Sequence, residues 1–158
     1  VIMKGWDEFE QVFGRKYSPI ETYKTDDAET LLLTMGSLSE TASLAVDNMR
    51  DQGKKVGLLR IRLWRPFPFT ELRKAVANTK VLVVLDRCLS IGGPGGPVAS
   101  EIRSALYDQE KRPKVVSLIG GLGGRDVTPT DFEYMVNRGV EIAEKGSDAE
   151  YEMIGVRE

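Results

Sequence analysis

The run Val81-Leu82-Val83-Val84-Leu85, followed by Asp86-Arg87-Cys88-Leu89-Ser90-Ile91-Gly92-Gly93-Pro94-Gly95-Gly96-Pro97, decides how this chain is read. An unbroken apolar run suits a strand buried on both faces, and Val98, Ile102, Ala105 and Leu106 beyond the glycines recur at helical spacing. A strand that empties through a glycine-rich loop into a helix places main-chain N–H groups at a strand's carboxyl end. That is where α/β proteins usually meet ligands and partners.

Outward from this unit the same alternation repeats from Glu29 to about Glu144. Upstream, Thr30 to Met35 reads as a strand, and Ser37 with Glu40 offers a capping box for a helix whose apolar face is Leu38, Ala42, Ala45, Val46 and Met49. The next strand spans Val56 to Leu63, with Arg60 and Arg62 on one face, which suggests a position near the sheet edge. Arg65-Pro66-Phe67-Pro68-Phe69 is a rigid loop, since neither proline can join a ladder, and Thr70 is a plausible N-cap for a short helix through Ala77. Downstream, Val115 to Ile119 is a strand, Gly120 to Gly124 a second glycine-rich loop, and Thr128-Pro129 a helix start, with Thr130 and Glu133 offering a further capping box. Phe132, Met135, Val136, Val140 and Ala143 give that helix its apolar face. Tyr151 to Val156 suits one last edge strand. The expected fold class is α/β, a three-layer α/β/α arrangement on a mostly parallel sheet of about five strands with right-handed crossovers. Residues 1 to 28 read as an arm entering from a preceding domain, with Trp6, Phe9, Val12 and Phe13 on one amphipathic turn or two, and residues 29 to 158 as the α/β domain.

Composition narrows the function classes. The chain has 158 residues, 41% hydrophobic and 29% charged, with a net charge of −2, so it offers no basic field for nucleic acid. No apolar run reaches the roughly eighteen residues of a membrane span, and no signal-peptide plan is visible, so the reading is cytoplasmic. There is no histidine, which excludes histidine-based triads and the usual zinc sites, and one cysteine, Cys88, cannot hold an iron–sulfur cluster. The chain starts at Val1, as a piece of a longer protein would.

Each candidate site has a plainer reading. The Gly92 to Pro97 loop meets neither nucleotide-binding fingerprint, and its prolines remove donors, so a tight strand-to-helix turn is favoured over an anion cradle. Arg125 beside the second glycine loop suits phosphate or carboxylate, but contact with Asp126 or a partner chain is favoured. Arg65 and Phe67 pair the residue types that interface hot spots favour. Cys88 reads as a small packed residue, although a redox-sensing thiolate is a testable rival, and Asp86 as a cap for the turn that follows it.

Together these segments carry a family resemblance. Gly36-Ser37-Leu38-Ser39-Glu40-Thr41-Ala42, Val56 to Pro68, Leu85-Asp86-Arg87 through Gly95-Gly96-Pro97, and Gly121-Leu122-Gly123-Gly124-Arg125-Asp126 resemble, in order and spacing, the second domain of the pyruvate:ferredoxin oxidoreductase family. That domain is the transketolase C-terminal-like part of the alpha subunit in multi-subunit forms, and Tyr17 to Tyr23 resembles its connector. The resemblance implies participation in coenzyme-A-dependent oxidative decarboxylation of a 2-oxoacid, pyruvate by default, with electrons passing through iron–sulfur clusters to ferredoxin. It also implies that thiamine diphosphate with magnesium does the carbanion chemistry. Yet the chain has no Gly-Asp-Gly followed by paired asparagines and no cluster cysteines, so cofactor binding is expected on other domains or subunits, and no catalytic, cofactor or metal residue is assigned here. The expected role is a structural and docking element whose contact residues are Arg65, Phe67, Arg87, Gly95, Gly96, Gly124 and Arg125. The alternative is a small-molecule module whose glycine-rich loops take a phosphorylated ligand such as coenzyme A.

Overall fold

A computed structural model describes residues 1–156; the final two positions of the unit read as 29 to 158 lie outside the described residues. The elements run α1 (Ile2–Phe13), β1 (Ile20–Tyr23), β2 (Thr30–Met35), α2 (Leu38–Asp51), β3 (Val56–Ile61), α3 (Phe69–Val76), β4 (Val81–Asp86), α4 (Pro97–Leu106), β5 (Lys114–Ile119), a 3-10 turn (Leu122–Gly124), α5 (Pro129–Lys145) and β6 (Glu152–Met153). The strands form one sheet in the order β1-β3-β2-β4-β5-β6, with β1 alone antiparallel to its neighbour. No helix among the described residues is long and apolar enough to cross a membrane.

Every residue of β4 is buried, because helices cover both faces of the sheet. Val83 and Leu85 join Leu32, Leu58, Val116 and Leu118 in one core layer under α2 and α5. Leu82 and Val84 join Leu31, Leu33, Leu59 and Ile61 in the other layer, under α3 and α4. The three-layer class is as expected; the strand number is six rather than about five. The additional strand is β1, inside the stretch read as an arm. Its Glu21 lies opposite Arg60 in the register and accepts from Arg62 Nε and Nη2 at 2.6 and 2.9 Å. The two arginines therefore do mark a strand next to the edge, and the carboxylate they need comes from the edge strand itself. Arg62 also sits 4.3 Å over the Tyr17 ring, which stacks on Phe9 at 5.4 Å, and through this chain α1, with no buried residue of its own, is tied to the domain.

Local capping differs from the sequence reading in three places. Ser37 has helical backbone angles and makes no side-chain cap: Ser39 Oγ pairs with Thr34 Oγ1 at 2.7 Å, and Glu40 is drawn to Arg60 instead of back to the helix start. Helix α3 starts at Phe69, one residue before its expected cap, and has no side-chain cap. Thr128 caps α5 as expected, but the box closes with Asp131, while Glu133 accepts from Asn48 of α2. The β3 strand ends at Ile61 rather than Leu63, because the Arg62 and Leu63 amides leave the ladder for the Pro19 carbonyl.

The connections β2-α2-β3, β3-α3-β4 and β4-α4-β5 share one hand. The step β5-α5-β6 moves across the sheet in the same direction as β4-α4-β5 with its helix on the opposite face, so its hand is reversed. The expected uniformity fails here because α5 is packed against α2 and β4, while β6 is a two-residue edge addition. Arg138 of α5 holds it there through both carboxylate oxygens of Glu152, at 2.6 and 2.9 Å.

Candidate functional site

Strands β2 to β5 are parallel, so the loops that follow them emerge along one side of the sheet, and neighbouring β2 and β4 send their chains to helices on opposite faces. This divergence is the topological switch point where α/β folds usually bind. The loop after β4 dominates it, and its geometry is organised by Asp86.

Asp86, 2% exposed, is the last residue of β4. Its carboxylate accepts from Val98 N at 2.8 Å and Ala99 N at 3.0 Å, so it caps α4 from twelve residues upstream instead of capping the adjacent turn. A Cβ on Gly96 would lie 2.1 Å from Asp86 Oδ2. Glycine is required there because the carboxylate fills the space. The positive helix terminus that would suit a phosphate is therefore occupied by the chain's own anion. Gly95, at φ +132°, lies against Ser117 and Tyr151. Gly95 and Gly96, expected as contact residues, are buried inside this chain. They permit close packing and present nothing to a partner.

Burial pushes the Asp86 carboxyl above its ordinary range, while the Ala99 and Val98 amides pull it down. With the folded value the higher one, the stability this carboxyl contributes is present below its unfolded value and is lost as pH rises through the folded value. Asp86→Asn does not titrate at this position. Parent and variant should therefore diverge as pH rises through the carboxylate range, with the parent losing stability relative to the variant in denaturant titrations run at a series of pH values. A parent that gains on the variant over that range contradicts the assignment.

The rest of the loop turns outward. Ser90 N bonds the Gly95 carbonyl at 3.0 Å and closes the loop neck, leaving Ile91 99% exposed at the tip. Cys88 is exposed, not packed, because the strand ends at Asp86 and the chain leaves the core at Arg87. Arg87 donates to the Gly121 carbonyl at 3.3 Å and so links this loop to the one after β5. Gly124 and Arg125 are exposed, and Arg125 forms no ion pair with Asp126. On the other flank, Arg65 stacks 4.8 Å over Trp64 and pairs with Glu101 of α4 at 2.6 Å, while half-buried Phe67 packs edge-on to Trp64 at 5.3 Å. The structure thus brings Arg87, Gly124 and Arg125 into one loop pair and Arg65 with Phe67 into another group beside α4. Ile91 was missed by the sequence reading. Its signal was an apolar side chain in a glycine-proline loop, where no regular element is available to bury it.

Among the described residues no group of three or more His, Cys, Asp or Glu side chains is placed to hold a metal ion. The donor set does not fit a magnesium-diphosphate site, and a single thiol does not fit a cluster.

A family model described as pyruvate:ferredoxin oxidoreductase core domain II matches residues 28–132. Pyruvate synthase subunit PorA of Pyrococcus abyssi is 42% identical over 146 residues, covering 92% of this chain and 37% of that protein. The chain therefore spans little more than a third of the length of that relative. Among solved structures, the split gene transketolase, inactive beta4 tetramer, shares the fold with TM-score 0.60 at 15% identity, covering 82% of this chain and 44% of that one. The 2-oxoglutarate:ferredoxin oxidoreductase from Magnetococcus marinus, with 2-oxoglutarate, coenzyme A and succinyl-CoA bound, does so with TM-score 0.57 at 20% identity, covering 90% of this chain and 22% of that one. The sheet order, the two strand-end loops and the match across two thirds of the residues lead to one conclusion: the chain belongs to the pyruvate:ferredoxin oxidoreductase core domain II family.

Proposed function

We propose that this chain is a non-catalytic docking domain of a cytoplasmic 2-oxoacid:ferredoxin oxidoreductase, with pyruvate as the substrate. Thiamine diphosphate, magnesium, the iron–sulfur clusters and the coenzyme A site belong, on this reading, to other domains and subunits of the enzyme, which passes its electrons to ferredoxin. The observation that carries it is Asp86. Among the described residues it is the one buried carboxylate, and it is spent on the α4 cap through the Val98 and Ala99 amides. What the strand-end face offers outward is Ile91, Arg87, Gly124 and Arg125, with Arg65 and Phe67 on the flank, a mixture of apolar and guanidinium groups suited to a protein partner. Gly95 and Gly96 act in this face as packing positions beneath the loop.

The isolated 158-residue chain should reduce no dye with pyruvate, thiamine diphosphate, magnesium and coenzyme A supplied. In the complete enzyme, Arg125→Glu should lower the yield of co-purifying subunits and leave the melting temperature of the isolated chain unchanged. Turnover by the chain alone overturns the reading. Tight coenzyme A binding to the chain in calorimetry would support the small-molecule alternative.

A further inference from the structure

The second edge of the sheet is incomplete in a way that points to a ligand. Strand β6 pairs only with Leu118 and Ile119, leaving residues 114–117 of β5, which pair with β4 on their other side, with no strand on the outer side. In that gap lies a cleft of about 220 Å³, lined among others by Arg103 of α4, Val115 and Ser117 of β5, and Glu150 and Tyr151 of the segment leading to β6.

Three features converge there. Ser117, 2% exposed, holds a buried hydroxyl with no hydrogen-bond partner, a condition native interiors rarely tolerate. The main chain adds to it. Lys114 N and Gly120 N bond to the β4 side, whereas the Ile119 carbonyl accepts from Ile154 N on the β6 side. Alternate residues of a parallel strand address the same neighbour, so the Ser117 and Val115 amides also address the β6 side, where β6 does not reach. Arg103 supplies charge. Its Nη2 donates to the carbonyls of Val115 at 3.4 Å and Glu150 at 3.1 Å, and among the described residues it forms no ion pair and its Nε and Nη1 have no acceptor. Lys114 adds a second cation, held at the Ala143 carbonyl. Of the two carboxylates at the rim, Glu152 is neutralised by Arg138, and Glu150 is exposed to solvent.

From this arrangement we infer that the cleft binds a small oxyanion, a phosphate or a carboxylate, with Arg103 as counter-charge and the Ser117 hydroxyl and amide as fixed donors. With both Nη2 hydrogens committed to carbonyls, the Nε–H and Nη1–H of Arg103 each offer one charge-assisted hydrogen bond to an oxyanion, along with the positive charge. The site uses none of the outward-facing side chains assigned to the docking face, although Gly95 beneath that face packs against Ser117 and Tyr151.

Titration of the 158-residue chain with inorganic phosphate and, separately, with acetate tests it, using chloride at matched ionic strength as the control and NMR of the Ser117 amide and the Arg103 Nε–H as the readout. Saturable shifts at both groups with phosphate alone identify a phosphate site, and with acetate a carboxylate site. Ser117→Ala should weaken binding about tenfold, the effect of losing one hydrogen bond to a charged group. The same variant should melt no lower than the parent in anion-free buffer, since only an unpartnered hydroxyl is removed, and the anion should raise its melting temperature less. Arg103→Gln should abolish the shifts. The inference is overturned if neither anion shifts these groups beyond chloride, or if Ser117→Ala binds as tightly as the parent.

Discussion

Alanine at Gly96 is expected to destabilise the chain by about 2–5 kcal/mol, combining overpacking with loss of the α4 cap. The backbone at Gly96 is extended, φ −73° and ψ 146°, so alanine meets no conformational penalty there, and the whole effect is steric. The methyl would stand 2.1 Å from Asp86 Oδ2, and the carboxylate must leave the Val98 and Ala99 amides to make room. Gly92 provides the contrast: its φ is +72° with nothing within 4 Å of a Cβ, so Gly92→Ala should cost only the roughly 1–2 kcal/mol of left-handed strain. The Gly96 and Asp86 effects should also overlap. In a double-mutant cycle, Gly96→Ala with Asp86→Ala should cost clearly less than the two single changes added, because the second removes the group the first collides with. Urea unfolding of the four proteins measures this. A Gly96→Ala variant within half of the usual ~1 kcal/mol cap effect of the parent would show that Asp86 does not hold the position described.

The second large effect concerns Gly139, where α5 lies directly on β4. A Cβ there would be 2.4 Å from Val83 Cγ2, and Val83 is fully buried. Gly139→Ala should therefore cost about 1–3 kcal/mol through overpacking, even though alanine is the better helix former by roughly 0.5–1 kcal/mol. Val83→Ala should partly rescue it by removing the opposing methyls. Gly5, in α1, has nothing within 4 Å of a Cβ. There the same substitution should raise helix content by circular dichroism. Opposite signs for one chemical change in two helices separate packing from propensity, and a stabilised Gly139→Ala would place α5 farther from the sheet than described.

These residues also show how legible the molecule was. The repeated passage from strand to glycine loop to helix, the apolar helical stripes and the Thr128-Pro129 start were readable because each is a local pattern with a fixed period or offset. Strand β1 was not readable: Ile20-Glu21-Thr22-Tyr23 is short and polar, and it is a strand only because β3 offers an edge and Arg60 and Arg62 offer partners for Glu21. The capping errors have the same origin. Ser37 and Glu40 fit a local box, but Arg60, twenty residues away, competes for the glutamate.

At the candidate site, the sequence by itself determined where to look, since a parallel α/β alternation puts its loops at the carboxyl ends of the strands whatever the details. Family membership also follows from residue order and spacing alone. What each loop residue does was decided by tertiary structure. Arg87 and Arg125 face outward while Gly95 and Gly96 are buried, and nothing in their shared loop chemistry distinguishes them until Asp86 swings under the loop to cap α4. Periodicity carries information about which side of an element is apolar. The assignment of a buried carboxylate to one helix terminus depends on distances between segments far apart in the chain, and only the packed fold sets those.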